Sequence, residues 1–167
     1  MNDETQKKRV DANIPVTPVQ VHAQYLKDFS FENPNAPDSL RVTGGKPEMD
    51  VNIVLDAVKI NDETNPDLYE SGLTLTIKST RDGKVLFISE IVYAALVTIK
   101  DVPQQHIRSI LYVDIPQMLF PFARQIVANA VTSGGFPPLL LNPIDFRGMY
   151  ADANKKSPQA DGGAAAA

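Results

Sequence analysis

VLFISEIVYAALVTI, residues 85–99, is apolar on both of the faces that an extended strand would present. Successive side chains of a strand point to opposite sides. One face then carries Val85, Phe87, Ile91, Tyr93, Ala95 and Val97, and the other carries Leu86, Ile88, Val92, Ala94 and Leu96. An antiparallel sheet with helices on one side needs only one apolar face. The second face therefore predicts a cover, which is another copy of the chain, an apolar ligand such as an unfolded polypeptide, or both together.

Three further strands are predicted before this segment. Residues 19–32 alternate, with Val19, Val21, Ala23, Tyr25, Phe29 and Phe31 on one side and Gln20, His22, Gln24, Asp28, Ser30 and Glu32 on the other. This period of two is typical of a half-buried strand. A second strand is predicted over about residues 47–61 and a third around residues 73–78. Arg81-Asp82-Gly83-Lys84 predicts a hairpin turn, because Asp-Gly readily adopts the positive φ angles that such turns require.

The pattern becomes helical after Pro103, with apolar residues at three- and four-residue steps over residues 107–130. Pro116 and Pro121 each lack a backbone donor, so the predicted helix is long and kinked. Asp114 is a candidate cap for the segment that restarts at the first proline.

The remaining elements complete an α+β domain. Gly134-Gly135 is expected to end the long helix, and a short closing helix is predicted over about residues 144–154. The fold class is thus a four-stranded antiparallel sheet with a long kinked helix and a short C-terminal helix packed on one face. We expect one domain over residues 18–152, a disordered leader over residues 1–17 and a disordered tail over residues 153–167.

Composition and charge exclude several classes of function. The 167 residues carry a net charge of −4, with a pI near 5.1, which argues against a nucleic-acid partner. No apolar stretch follows the charged start, so no signal peptide is predicted. The longest uncharged run, residues 125–144, contains Gly134-Gly135 and Pro137-Pro138, which are unsuited to a membrane span, and no membrane insertion is expected. The absence of cysteine fits a reducing compartment.

No catalytic or metal-binding constellation is recognisable. His22 and His106 are the only histidines, and both lie among polar neighbours typical of surface positions. Asp28 and Glu32 lie roughly 13 Å apart on one strand face, too far to share a proton. We expect no catalysis, no cofactor and no metal. A small enzyme with its site between subunits is the alternative, and turnover that is lost when Asp28 or Glu32 is neutralised would support it.

Three segments carry a resemblance to a known family: KDFSFENPNAP at residues 27–37, LFPFAR at residues 119–124, and GFPPLLLNPIDF at residues 135–146. In these motifs, and over about residues 19–152, the chain resembles the SecB family. The resemblance implies a cytoplasmic homotetramer, a dimer of dimers, that binds non-native preproteins in hydrophobic grooves. It also implies delivery of these clients to the SecA ATPase, with no nucleotide or metal bound by the chaperone itself.

The resemblance also implies where SecA docks. The Asp and Glu of the KDFSFE motif match Asp28 and Glu32, and the FISEI segment matches Glu90 with Ile88 beside it. An extended patch of carboxylates steers a basic partner toward the surface. The tail is rich in alanine and glycine, so its part in contacting SecA stays open.

The client-binding residues are a further expectation. Tyr93 and Leu96 on the fourth strand, with Phe136, Pro137 and Pro138 in the loop between the helices, are the expected groove residues. A place in the core or in a subunit interface is the equal alternative for each of them. A SecB-like chaperone dedicated to a toxin–antitoxin pair, or to another specific client, is the main alternative function, and the intact acidic positions favour general export.

Overall fold

The computed structural model describes residues 17–41 and 43–156 of the chain. The predicted leader and tail lie largely outside these residues, so their disorder stays a prediction. The last described helix continues to Lys156, beyond the expected domain end at residue 152. Within residues 17–41 and 43–156, none of the helices combines the length and the apolar character of a membrane span.

The elements follow the expected order, strands first and helices last. They are β1 (Val19–Glu32), a 3₁₀ turn (Asp38–Leu40), β2 (Glu48–Lys59), β3 (Leu68–Arg81), β4 (Lys84–Ile99), α1 (Gln104–Ser109), a π-helical segment (Ile110–Asp114), α2 (Ile115–Ser133) and α3 (Phe146–Lys156). The segments from α1 to α2 follow one another without a break and form one joined helix. The α+β class, the four-stranded antiparallel sheet, the long helix and the short C-terminal helix are confirmed.

The sheet has the strand order β1-β4-β3-β2, so the doubly apolar β4 is central and β1 and β2 form the edges. β3 and β4 are joined by the predicted hairpin, in which Asp82 and Gly83 have φ angles of 50° and 75°. Positive φ at both central residues matches the twist of the flanking strands. The chain crosses from one edge to the other between β1 and β2.

The phase of β1 differs from the predicted alternation. Two bulges, at His22 and Lys27, interrupt its pairing with β4. Each bulge inserts one residue and therefore exchanges the two faces for the residues that follow. Phe29 pairs with a core residue of β4, but Ala23 and Tyr25 pair with residues of the opposite face. The expectation that Ala23 and Tyr25 share a face with Phe29 is wrong for this reason.

The helices cover one face of the sheet, and the core lies between them. The apolar positions of α2 there recur every four residues, which places them in one stripe. The best-buried side chains of the core are each at most 1% exposed. They are Leu73, Leu75, Ile77, Ile91, Ala95, Val97, Leu119, Ala123, Val127 and Val131. The opposite face, here called the helix-free face, carries no helix of the described chain.

The joined helix accommodates Pro116 through its π-helical segment. The Ile115 N–H donates to the Ile110 carbonyl, five residues earlier, and Pro116 has no N–H to donate to Leu111 in the same register. The Leu111 carbonyl instead accepts a hydrogen bond from Ser71 Oγ of β3 at 2.7 Å, in a buried position. A serine of the sheet thereby satisfies a carbonyl that the proline leaves free.

Two other helix predictions have different outcomes. Asp114 has helical angles (φ −70°, ψ −44°) and makes no capping hydrogen bond through its side chain. The predicted cap is therefore wrong, because the helix continues through this point and does not restart. Gly134 and Gly135 do end α2, and Gly135 has a φ of 88° that favours glycine.

Candidate functional site

The four residues predicted to dock SecA share the helix-free face. Glu32 pairs directly with Ile88, and Glu90 pairs with Ser30, which lies between Asp28 and Glu32 along β1. Both carboxylates of β1 are therefore diagonal neighbours of Glu90, at about 7–8 Å between backbone positions. The structure brings Asp28, Glu32, Ile88 and Glu90 into one surface, here called the acidic patch.

The carboxylates of the acidic patch are accessible. Asp28, Glu32 and Glu90 are all exposed, and none forms an ion pair with another residue that the structure describes. The Phe29 N–H donates to Asp28 Oδ1 at 2.9 Å, and Thr76 Oγ1 donates to Glu90 Oε2 at 3.1 Å. Three negative charges on one sheet face produce a field that attracts a basic partner.

Beside the acidic patch, Glu70 of β3 is paired within the chain. Its side chain is 17% exposed, and its Oε1 lies 2.5 Å from Lys27 Nζ. The Tyr25 hydroxyl donates to the other oxygen of the same carboxylate. We call Tyr25, Lys27 and Glu70 the Glu70 bridge. Sequence reasoning missed it because the bulge at His22, which the sequence does not reveal, turns Tyr25 and Lys27 toward the helix-free face.

The Glu70 bridge shifts the pKa values of its members. Hydrogen bonds from Lys27 and Tyr25 hold the pKa of Glu70 below its usual value. Burial, followed by the hydrogen bond to Glu70, raises the pKa of Tyr25 to about 12. The hydrogen bond to Glu70 also raises the pKa of Lys27. At neutral pH the ionised Glu70 carboxylate is therefore paired with the Lys27 ammonium through one oxygen and accepts a hydrogen bond from the neutral Tyr25 hydroxyl through the other.

On the helix-covered side, Tyr93 lies between β1 and α2. Its ring stacks on Phe122 with 6.2 Å between the centroids, and it pairs across the sheet with Leu26. Leu26 and Phe122 are 46% and 50% exposed. Leu26, Tyr93 and Phe122, here called the aromatic strip, thus form an exposed apolar surface beside the unpaired edge of β1, which is typical of an interaction site.

The loop after α2 holds three of the predicted client residues. The Phe136 ring lies 5.1 Å from that of Phe87, which in turn stacks on Phe31 at 5.7 Å. Phe136 is half-buried, whereas Pro137 and Pro138 are exposed. Phe136 therefore anchors the loop to the core, and the side chains of Pro137 and Pro138 are exposed at its surface.

Leu96 lies apart from the other four predicted client residues. It pairs with Ala23 and Glu70 on the helix-free face, whereas Tyr93 faces the helices. Residues three positions apart in a strand point to opposite sides, so one subunit cannot place both on one surface. Leu96 is half-buried beside the Glu70 bridge, which covers part of the second apolar face of β4.

The structure also contains an apolar cleft that the sequence did not reveal. It has a volume of ≈ 340 Å³ and lies between β2, the joined helix and α3. Tyr112 and Tyr150 stack in its wall at 6.3 Å, and the Arg108 guanidinium lies 5.9 Å from the Tyr112 ring centre. These residues are distant in sequence, and no local pattern links them.

The histidines have ordinary surroundings. His22 Nε2 lies 2.7 Å from Thr98 Oγ1, and His106 is exposed near the start of α1. Across residues 17–41 and 43–156, no group of three or more His, Cys, Asp or Glu side chains could hold a metal ion.

Comparisons with known proteins bear on what these surfaces do. A family model described as preprotein translocase subunit SecB matches residues 12–157. The chain belongs to the SecB family. A protein-export protein SecB of Bartonella quintana is 46% identical over 130 residues, which cover 78% of this chain and 80% of that protein. Another, from Bradyrhizobium diazoefficiens, is 41% identical over 151 residues, which cover 90% and 91%. The chain is a protein-export chaperone.

A solved structure has the same fold. It is a Mycobacterium tuberculosis SecB-like chaperone in complex with a ChAD peptide from an antitoxin, with a TM-score of 0.61 and 15% sequence identity. The match covers 75% of this chain and 90% of that one. At this identity the similarity supports the SecB-like architecture alone.

Proposed function

We propose that this export chaperone delivers its clients to SecA, which docks on the acidic patch. The observation that carries the proposal is the gathering of Asp28, Glu32 and Glu90, all exposed, around Ile88 on the helix-free face. Exposed carboxylates that are not engaged in ion pairs accelerate encounter with a basic partner. A half-buried isoleucine among them offers the apolar contact that a purely electrostatic surface lacks.

We propose that non-native preproteins bind on the helix-covered side. The aromatic strip and the exposed Pro137-Pro138 with its anchor Phe136 provide apolar surface there. Unfolded chains are bound by apolar surface together with backbone hydrogen bonding, without a precisely shaped pocket. Leu96 faces the other side of the sheet and is left out of this client surface.

We further propose a cytoplasmic homotetramer, a dimer of dimers. β1 is an edge strand, and its Val21, which lies outside the aromatic strip, is 40% exposed. An unpaired edge next to apolar side chains favours pairing with another chain. The proposed cycle of client binding and transfer uses no catalysis, cofactor, nucleic acid or membrane insertion by the chaperone itself.

The first experiment is light scattering after gel filtration, with the purified protein alone and then with SecA. We expect a tetramer that captures SecA, and we expect Asp28→Asn/Glu32→Gln to stay tetrameric and lose the capture. The matched control is Glu48→Gln/Asp50→Asn. It removes the same charge from exposed positions of β2 on the same face and is expected to retain SecA.

The other outcomes are equally informative. A tetramer that never binds SecA would favour a chaperone dedicated to one client. A stable monomer would contradict the proposed assembly. Equal loss of SecA from the Asp28/Glu32 variant and the Glu48/Asp50 control would show that net charge matters and that the acidic patch does not.

A further inference from the structure

The bulge at Lys27 determines which face of the sheet Asp28 and Glu32 occupy. Tyr25 lies on the helix-free face, opposite Ala94. Regular alternation from Tyr25 would turn Asp28 and Glu32 toward the helices and Phe29 toward water. The extra residue reverses the phase, so the carboxylates of the acidic patch reach the same face as Glu90.

Packing on the core side sets this register. Phe31 stacks on Phe87 and lies so close to Gly134 that a Cβ there would be 2.3 Å from its ring. A bulged residue itself makes no regular ladder pair, so the backbone at the bulge is less restrained than the paired strand, and so is its connection to the next residue. The residue that follows Lys27 is Asp28. Core packing therefore fixes the phase of β1 and leaves the bulge to be restrained by other contacts.

The Glu70 bridge supplies such contacts. Lys27 is the bulged residue, and Tyr25 precedes it by two positions. Both side chains contact the carboxylate of Glu70, which lies two strands away on β3. The bridge passes over β4, where Ala94 is fully buried, and Gly72 pairs with Ala94 on the far side. The small side chain of Ala94 leaves room for side chains that span from β1 to β3, whereas the Asp56 carboxylate occupies the space above Gly72.

We propose that Tyr25, Lys27 and Glu70 are positioning residues, which restrain the bulge of β1 and hold the Asp28 carboxylate in the orientation that the docking partner meets. This inference rests on the proposed docking of SecA to the acidic patch. In this arrangement the positive charge of Lys27 is paired with Glu70, so the carboxylate of the neighbouring Asp28 stays available to the partner.

The direction in which one substitution changes SecA affinity distinguishes a positioning role from an effect of net charge. Lys27→Met removes a positive charge, which by long-range electrostatics alone makes the face more attractive to a basic partner. We expect SecA affinity to fall between about two- and fivefold instead, the range that one restrained surface contact supports. The matched control is Lys78→Met, which removes the same charge from an exposed residue of the same face, opposite Ile88. The control is expected to bind SecA as well as the wild type or more tightly.

Two further variants test the path through Asp28. Lys27→Arg keeps a donor that can reach Glu70 and is expected to restore wild-type affinity. Adding Lys27→Met to Asp28→Asn is expected to cost no additional affinity, because the positioned carboxylate is already neutral. Tighter binding by Lys27→Met, or a full additional loss in the double variant, would overturn the proposal.

A readout without SecA separates the two proposals. Amide hydrogen exchange at residues 27–29 is expected to be faster in Lys27→Met than in the wild type, while the urea midpoint of unfolding falls only by the small amount that loss of one partly exposed ion pair causes. If SecA does not bind the wild type, the docking proposal fails, and the exchange rates still judge the restraint of the bulge. Unchanged exchange at residues 27–29 would overturn the positioning role.

Discussion

The two faces of the sheet are built from the same four strands and differ in what their side chains do. The helix-covered face buries a continuous apolar layer, in which Leu73, Leu75 and Ile77 of β3 are 0% exposed. On the helix-free face, the residues of β3 between them are Thr74 and Thr76, which are half-buried. Period-two alternation thus divides the side chains of the strand into one set that is buried in the core and another that is accessible on the helix-free face.

Stability and recognition therefore depend on different residues in this chaperone. Burial of medium apolar side chains contributes roughly 1.5–3 kcal/mol each on the covered face. Exposed carboxylates such as Asp28 and Glu32 contribute little to folding, and they act on encounter with a partner. Substitutions on one face should therefore leave the property of the other face unchanged.

The largest expected effect is on the covered face. Leu75→Ala should reduce the free energy of unfolding by about 2–5 kcal/mol, because it leaves a cavity in the core. Val54→Ala, at a position of β2 on the helix-free face that is 51% exposed, should cost less than about 1 kcal/mol. Urea unfolding at one fixed protein concentration measures both. Equal losses would contradict the division between the faces.

A smaller effect is expected at the junction of sheet and helix. Ser71→Ala leaves the buried Leu111 carbonyl without its donor and should cost about 1–3 kcal/mol. Ser109→Ala removes a hydroxyl that bonds to the His106 carbonyl within α1, in a less buried position, and should change stability by about 0.5 kcal/mol at most. The same unfolding measurement applies. If Ser71→Ala proved neutral, the proposed accommodation of Pro116 would be wrong.

The sequence predicted those parts of the fold that depend on local pattern. Asp82-Gly83 marked the hairpin, and Gly134-Gly135 marked the end of α2. The residues predicted to dock SecA lie on one surface because residues 28–32 alternate regularly after the Lys27 bulge, and their docking role stays a prediction.

The rest depended on contacts that no local pattern contains. Neither His22 nor Lys27 signals a bulge, because a bulge arises from pairing with β4. The hydrogen bond from Ser71 to the Leu111 carbonyl joins residues 40 positions apart, and no local pattern around Asp114 shows that the helix continues through this point. The separation of Tyr93 from Leu96 follows from alternation alone, but the apolar pattern does not reveal it because both faces of β4 are apolar.

The smallest expected effect is a pH dependence on the helix-free face. The pKa of Glu70 in the folded chain lies below the ordinary 4.5. Its contribution to stability is therefore fully present above pH 4.5 and is lost as the pH falls from there through the lowered value. Urea midpoints from about pH 6 to about pH 3 should decline less steeply for Glu70→Gln than for the wild type. Parallel declines would show that the Glu70 bridge does not couple to folding.

The most direct measurement is methyl NMR of the isoleucine-, leucine- and valine-labelled protein during titration with SecA. Ile88 and Val92 report on the helix-free face, and Leu26 and Ile126 report on the helix-covered side. We expect the Ile88 and Val92 methyl signals to shift or broaden first, while those of Leu26 and Ile126 stay in place. Perturbation of Leu26 and Ile126 with Ile88 unaffected would contradict docking on the helix-free face.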